Sequence, residues 1–147
     1  GMKMQDAVEL YNKYIGNWGG IATEYRFEAV KAGVVVFTVR KGPARQPYLK
    51  VRVSDNRLVI GDTYDVAEIR LMAESEYGDT LCFCQEALKL RTEGPIALIG
   101  PEMISLNGGM GGVYVRTTGE EGRAVLILSS ELFGEMRIDF TVEKEVL

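Results

Sequence analysis

Leu49-Lys50-Val51-Arg52-Val53-Ser54-Asp55-Asn56-Arg57-Leu58-Val59-Ile60-Gly61-Asp62 decides the fold class. Its first five residues alternate apolar and cationic side chains, so an extended chain carries Leu49, Val51 and Val53 on one face and Lys50 and Arg52 on the other. Asp55-Asn56 supplies turn chemistry, Leu58-Val59-Ile60 is a second extended run, and Gly61-Asp62 turns again. Strand, turn, strand, turn within so few residues predicts antiparallel β-structure.

The same period runs outward in both directions. Ala67, Ile69 and Leu71 share one strand face, and extended segments are predicted at about 81–90, 113–117, 124–130 and 136–142. Towards the N-terminus, Tyr25, Phe27 and Ala29 alternate with Glu24, Arg26 and Glu28. Lys31-Ala32-Gly33 reads as a hairpin turn before the apolar run 34–39. Before residue 16 the period changes. Met4, Ala7/Val8, Tyr11 and Tyr14/Ile15 repeat at helical spacing, which predicts one amphipathic helix over about 4–15, stopped by Gly16. Residues 84–90 contain good helix formers, so strand and helical turn both stay open there. The Gly- and Pro-rich tract 94–112 predicts a long excursion with at most one short strand near 96–99.

These elements predict a mainly β fold, an antiparallel barrel of about eight to ten strands with the helix plugging one end. A half-open barrel or a β-sandwich with one helix is the alternative. With 147 residues the chain is expected to form a single domain over 1–147, and Gly1 before Met2 looks like a tag remnant.

Composition removes several chemistries. The formal charge is −4, with 17 basic residues interleaved among 21 acidic ones, which argues against a nucleic-acid partner. There is no histidine, so Ser-His-Asp and Cys-His catalysis and His-containing metal sites are excluded. Cys82 and Cys84 lie two apart on one strand face, a poor geometry for a disulfide, and are read as reduced thiols. No metal and no cofactor is expected. No segment reaches the roughly 18 apolar residues of a membrane span, and a cytoplasmic location is expected.

Tyr14-Ile15-Gly16-Asn17-Trp18 stands at the junction between helix and strands. A Gly-x-Trp after a short N-terminal helix, opening a set of antiparallel strands, resembles the lipocalin and fatty-acid-binding-protein (calycin) superfamily. The resemblance implies that Trp18 closes one end of the barrel, with Arg137 packed over its ring. It also implies a carrier or sensor that binds a small, largely apolar or amphipathic molecule in the barrel cavity.

Candidate site residues follow from polar groups on apolar faces. Glu86 shares a face with Cys82, Cys84, Leu88 and Leu90, where a strand would place a lone carboxylate in an apolar interior. Tyr114 and Arg116 lie two apart and can hold a carboxylate or phosphate oxygen together. Phe27 and Phe140 are expected to line the interior. Two other functions compete with the carrier: a His-independent isomerase or lyase using a cavity carboxylate, and a cavity-free protein-interaction module. A homodimer is compatible with either. No residue is assigned a catalytic role.

Overall fold

Period-two alternation gives each strand one apolar face, and burying those faces against each other produces the architecture. The computed structural model describes residues 3–16 and 23–145, and the chain divides into two compact units, Gly1–Arg45 and Gln46–Leu147.

In the first unit, helix α1 (Met4–Tyr14) forms where the apolar stripe predicts it. The Lys3 backbone N–H donates to the Asp6 carboxylate at 2.9 Å, and the Ile15 and Gly16 N–H groups donate to the Tyr11 carbonyl as the helix ends. Strands β1 (Tyr25–Lys31) and β2 (Val34–Lys41) pair antiparallel about Ala32-Gly33. Both turn residues have positive φ, 50° and 78°, the type I′ geometry that suits the twist of a hairpin. No residue of α1, β1 or β2 is buried. The apolar stripe of the helix, Met4, Val8, Tyr11 and Ile15, is exposed, and the expected plug falls with the closed barrel, since the sheets are open. Trp18 lies outside the described residues.

The second unit holds the hydrophobic core. Its strands are β3 (Tyr48–Val53), β4 (Arg57–Ile60), β5 (Val66–Glu74), β6 (Ala87–Glu93), β7 (Ile96–Ile99), β8 (Met103–Ser105), β9 (Met110–Thr117), β10 (Gly122–Ser130) and β11 (Gly134–Lys144). One sheet runs β4-β11-β10-β6-β8 and the other β3-β5-β9-β7. Neighbours are antiparallel except β4, which lies parallel to β11 with Leu58 opposite Val142. Ala67, Ile69, Leu71, Val113 and Val115 from one sheet meet Leu88, Leu90, Leu126, Leu128 and Phe140 from the other in a single buried cluster.

The fold is thus mainly β with one short helix, as the sequence predicts, but the closed barrel is corrected. The sheets are open, ending at β4 and β8 in one and at β3 and β7 in the other. Alternation says that each strand has an inner face. Only pairing decides whether the sheet curls onto itself or faces a second one.

Two local expectations are also corrected. The strand predicted over 81–90 begins only at Ala87. Before it the chain turns, with the Cys84 N–H donating to the Leu81 carbonyl at 2.8 Å. The tract 94–112 carries β7, β8 and the start of β9 rather than one strand. Its glycines mark the points where the chain changes sheets. Gly94 has φ 81°, and a Cβ there would lie 2.3 Å from the Arg123 carbonyl oxygen. Gly109 has φ 77°, and a Cβ would lie 2.4 Å from the Leu81 carbonyl oxygen. Both positions need left-handed backbone and close approach, which glycine supplies.

Asp65 joins the two sheets. Its carboxylate accepts from the N–H of Val59 next to β11 (3.0 Å) and from the N–H of Val66 at the start of β5 (2.8 Å). Its backbone exchanges two bonds with buried Thr117 at the end of β9: Thr117 N–H to the Asp65 carbonyl at 3.0 Å, and Asp65 N–H to Thr117 Oγ1 at 3.1 Å. Asp65→Ala removes the two carboxylate bonds and should cost about 1–3 kcal/mol in urea denaturation at neutral pH. A midpoint unchanged from the parent chain would show that water replaces the carboxylate without loss.

Candidate functional site

The outward face of β3-β5-β9-β7 gathers the polar chemistry of the second unit. Strand register sets its rows: Tyr48 opposite Glu74, Arg52 opposite Arg70, Glu68 opposite Tyr114, and Val66 opposite Arg116. Cross-strand partners on one face lie close enough for their side chains to interact.

Glu74 stands at one end of this face and is only 5% exposed. Its carboxylate accepts from the Tyr48 hydroxyl at 2.7 Å and from Lys50 Nζ at 2.8 Å. The Lys50 ammonium, then the Tyr48 phenol, hold Glu74 below the usual carboxylate range against the opposing effect of burial, while the same bond pushes the Tyr48 phenol up. Further along, Glu68 accepts from Arg70 Nε at 3.0 Å and from the Tyr114 hydroxyl at 3.5 Å. Its carboxyl is also held low, chiefly by the Arg70 guanidinium.

Arg116 stands beyond Tyr114 with its guanidinium 5.5 Å from the centre of the Tyr64 ring, and Nη1 donates to the Thr117 carbonyl at 3.3 Å. The two side chains share an open depression with Asp62, Thr63 and Thr118. Tyr114 and Arg116, paired in the sequence reading, do point the same way from β9, yet each has its own partner. Tyr64 was not singled out as a site residue. Its only signal is its place just after the Gly61-Asp62 turn, and its contact with Arg116 spans 52 residues of chain.

The other sequence candidates are scattered. Glu86 is half-buried just before β6, and its Oε1 accepts from the Leu132 N–H at 2.9 Å. It lines a separate open depression with Lys89, Ser129, Ser130 and Glu131. Arg137 is ion-paired with Glu93 at 3.3 Å and with Glu135 at 3.6 Å. Phe140 is buried in the core, whereas Phe27 is exposed in the first unit and stacks on Tyr25 at 6.5 Å. Cys82 and Cys84 are free. Among the described residues no cluster of three or more Asp, Glu or Cys side chains could hold a metal ion, and no helix is long and apolar enough to cross a membrane.

Comparison with known proteins points away from a calycin. No protein-family model matches the chain. A β-galactosidase of Rhizobium radiobacter is 29% identical over 138 residues, covering 92% of this chain and 97% of that protein. A β-galactosidase of Thermoanaerobacterium thermosulfurigenes is 31% identical over 98 residues, which are 65% of this chain but only 13% of that enzyme. Among solved structures, a glycosyl hydrolase family 2 member from Bacteroides cellulosilyticus superposes with a TM-score of 0.62 at 15% identity, over 81% of this chain and 17% of its own. A β-glycosidase from Bacteroides vulgatus gives 0.61 at 16% identity, over 84% and 18%. At these identities the structural likeness shows the fold: a sandwich that these large glycosidases also contain, of whose length the present chain spans under a fifth.

These findings overturn the calycin resemblance. With it fall the carrier of apolar or amphipathic molecules, the isomerase or lyase built on a cavity carboxylate, and the interaction module. The interior such a carrier needs is filled by the side chains of both sheets.

The ion-paired state of Glu74 has a pH signature. A carboxyl held lower in the folded than in the unfolded chain adds stability that is fully present above the unfolded value. That stability is lost as pH falls through the folded value. Melting temperature should therefore drop on acidification below the ordinary carboxylate range, and Glu74→Gln should flatten that drop while lowering stability at pH 7. An identical acid limb in the variant would show that Lys50 and Tyr48 do not hold the carboxylate in solution.

Proposed function

We propose that this chain is an accessory β-sandwich of a glycoside hydrolase of the family 2 kind, serving β-galactoside hydrolysis without itself supplying the catalytic carboxylates. The observation that carries the reading is that the chain matches β-galactosidases yet aligns with only 13% of the Thermoanaerobacterium thermosulfurigenes enzyme. Glycoside hydrolysis needs two carboxyl groups across a scissile bond, one of them with a raised pKa so that it can act as an acid. On the outer face both carboxylates are shifted the opposite way, each held low by a cation: Glu74 by Lys50 and Glu68 by Arg70. Glu86 and Glu131 do share a depression, but Glu86 Oε1 already accepts from the Leu132 backbone N–H at 2.9 Å.

The test is hydrolysis of a chromogenic β-galactoside by the purified chain. The expected rate is that of buffer, unchanged by Glu86→Gln or Glu74→Gln. Turnover with a bell-shaped pH profile that either substitution abolishes would overturn the accessory reading. As a positive arm, the sandwich of this chain replaces the aligned segment of the Thermoanaerobacterium thermosulfurigenes enzyme. Retention of β-galactosidase activity supports the reading, and a folded but inactive hybrid counts against it.

A further inference from the structure

We infer that the depression at Tyr64 and Arg116 is a saccharide site that takes a neutral pyranoside unit, such as a terminal hexosyl residue of a glycan. The choice of ligand class rests on the glycosidase-linked reading above; the geometry does not.

A pyranose presents an apolar patch of C–H groups and a rim of hydroxyls, each both donor and acceptor. A site for it needs an aromatic surface beside groups that only donate and groups that only accept. The depression holds all three. Tyr64 is 59% exposed, so much of its ring is open to a ligand despite the guanidinium above it. Arg116 is a pure donor and Asp62 a pure acceptor, and both are planar forks that can bridge neighbouring hydroxyls. Among the described residues Arg116 has no carboxylate partner and the Asp62 side chain has no partner. Thr63 and Thr118 line the same depression and add hydroxyls.

The groups are also held in place, which lowers the cost of binding. Arg116 sits within the sheet, with Val66 of β5 on one side and Ala97 of β7 on the other. Tyr64 immediately precedes Asp65, whose backbone and carboxylate are fixed by the four bonds to Val59, Val66 and Thr117. Charge bears on the choice of sugar: Asp62 lines the depression together with Arg116, so a uronate carboxylate meets an anion as well as a cation, whereas a neutral polyol can use both groups.

An open site for one sugar ring should bind with a Kd on the order of 1 mM, the scale set by about a dozen ligand atoms at ordinary efficiency. The experiment is an amide NMR titration of the full chain with methyl β-D-galactopyranoside, methyl β-D-glucuronide and glycerol. Expected are saturable shifts of the Tyr64, Thr117 and Thr118 amides with the galactoside, weaker ones with the glucuronide, and none that saturate with glycerol. Tyr64→Ala and Arg116→Gln should each weaken the galactoside about tenfold, the size of one lost contact, with amides elsewhere unmoved. Tyr64→Phe keeps the ring and should keep binding. Shifts that do not saturate, that centre on Glu86, or that persist in Tyr64→Ala overturn the site, as does preference for the glucuronide. Failure here leaves the accessory reading standing, since that reading is decided by the hydrolysis and hybrid assays.

Discussion

Two apolar sheets can stack in many ways, and Asp65 favours the observed one by bonding backbone of both. Its carboxylate binds backbone N–H groups on β4 and β5, which belong to opposite sheets, while its main chain pairs with Thr117 on β9. Burial of the leucines and valines is non-directional and sets no register. A carboxylate with two donors at 2.8 and 3.0 Å is directional, because its charge-assisted bonds form in one geometry only. Tyr64 and Arg116 each stand one residue from this junction, so the geometry of the depression is a consequence of how the sheets are joined.

The outer face of β3-β5-β9-β7 illustrates how environment assigns roles to like groups. Glu74 is buried and would by desolvation alone be pushed towards the neutral acid. The Lys50 ammonium and the Tyr48 phenol, donating at 2.8 and 2.7 Å, reverse that tendency. The same carboxyl facing an apolar wall would be a proton donor; here it is a structural anion tying β3 to β5. Chemistry that requires a protonated carboxylic acid is therefore not available from this group.

Much of the fold was legible in the sequence. The helix over 4–15, the hairpin about Ala32-Gly33 and the alternation from Leu49 through Leu71 are local patterns, and the structure realises them. The barrel was wrong because period two is common to barrels and sandwiches, and strand pairing between β11 and β4, some 84 residues apart, leaves no local mark. Strand β7 stands where a short strand near 96–99 was expected, whereas β8 was hidden for a related reason. It is three residues long, and the glycines that let the chain cross between sheets read as loop signals. Of the site, Tyr114 and Arg116 were found because their spacing puts them on one strand face. Tyr64 and Glu74 were missed because their partners, Arg116 and Tyr48, come from distant segments. Glu86 looked internal only on the assumption that its strand began at residue 81.

The two outer faces of the sandwich differ in what they leave unspent. On β4-β11-β10-β6-β8 three arginines are ion-paired: Arg57 with Glu143 at 2.7 Å, Arg91 with Glu93, and Arg137 with Glu93 and Glu135. Exposed pairs of this kind add little stability, yet each donor already has its acceptor, so a ligand would have to displace it. On β3-β5-β9-β7 the pairing runs through Glu74 and Glu68 and then stops. Arg116 is held by a ring and a carbonyl, neither of which satisfies its charge, and Asp62 faces the same space. A guanidinium and a carboxylate without ion pairs among the described residues line this depression beside an exposed aromatic ring, so added hydroxyl groups break no existing ion pair there. That combination of donor, acceptor and ring is what the Tyr64–Arg116 corner offers to the proposed saccharide.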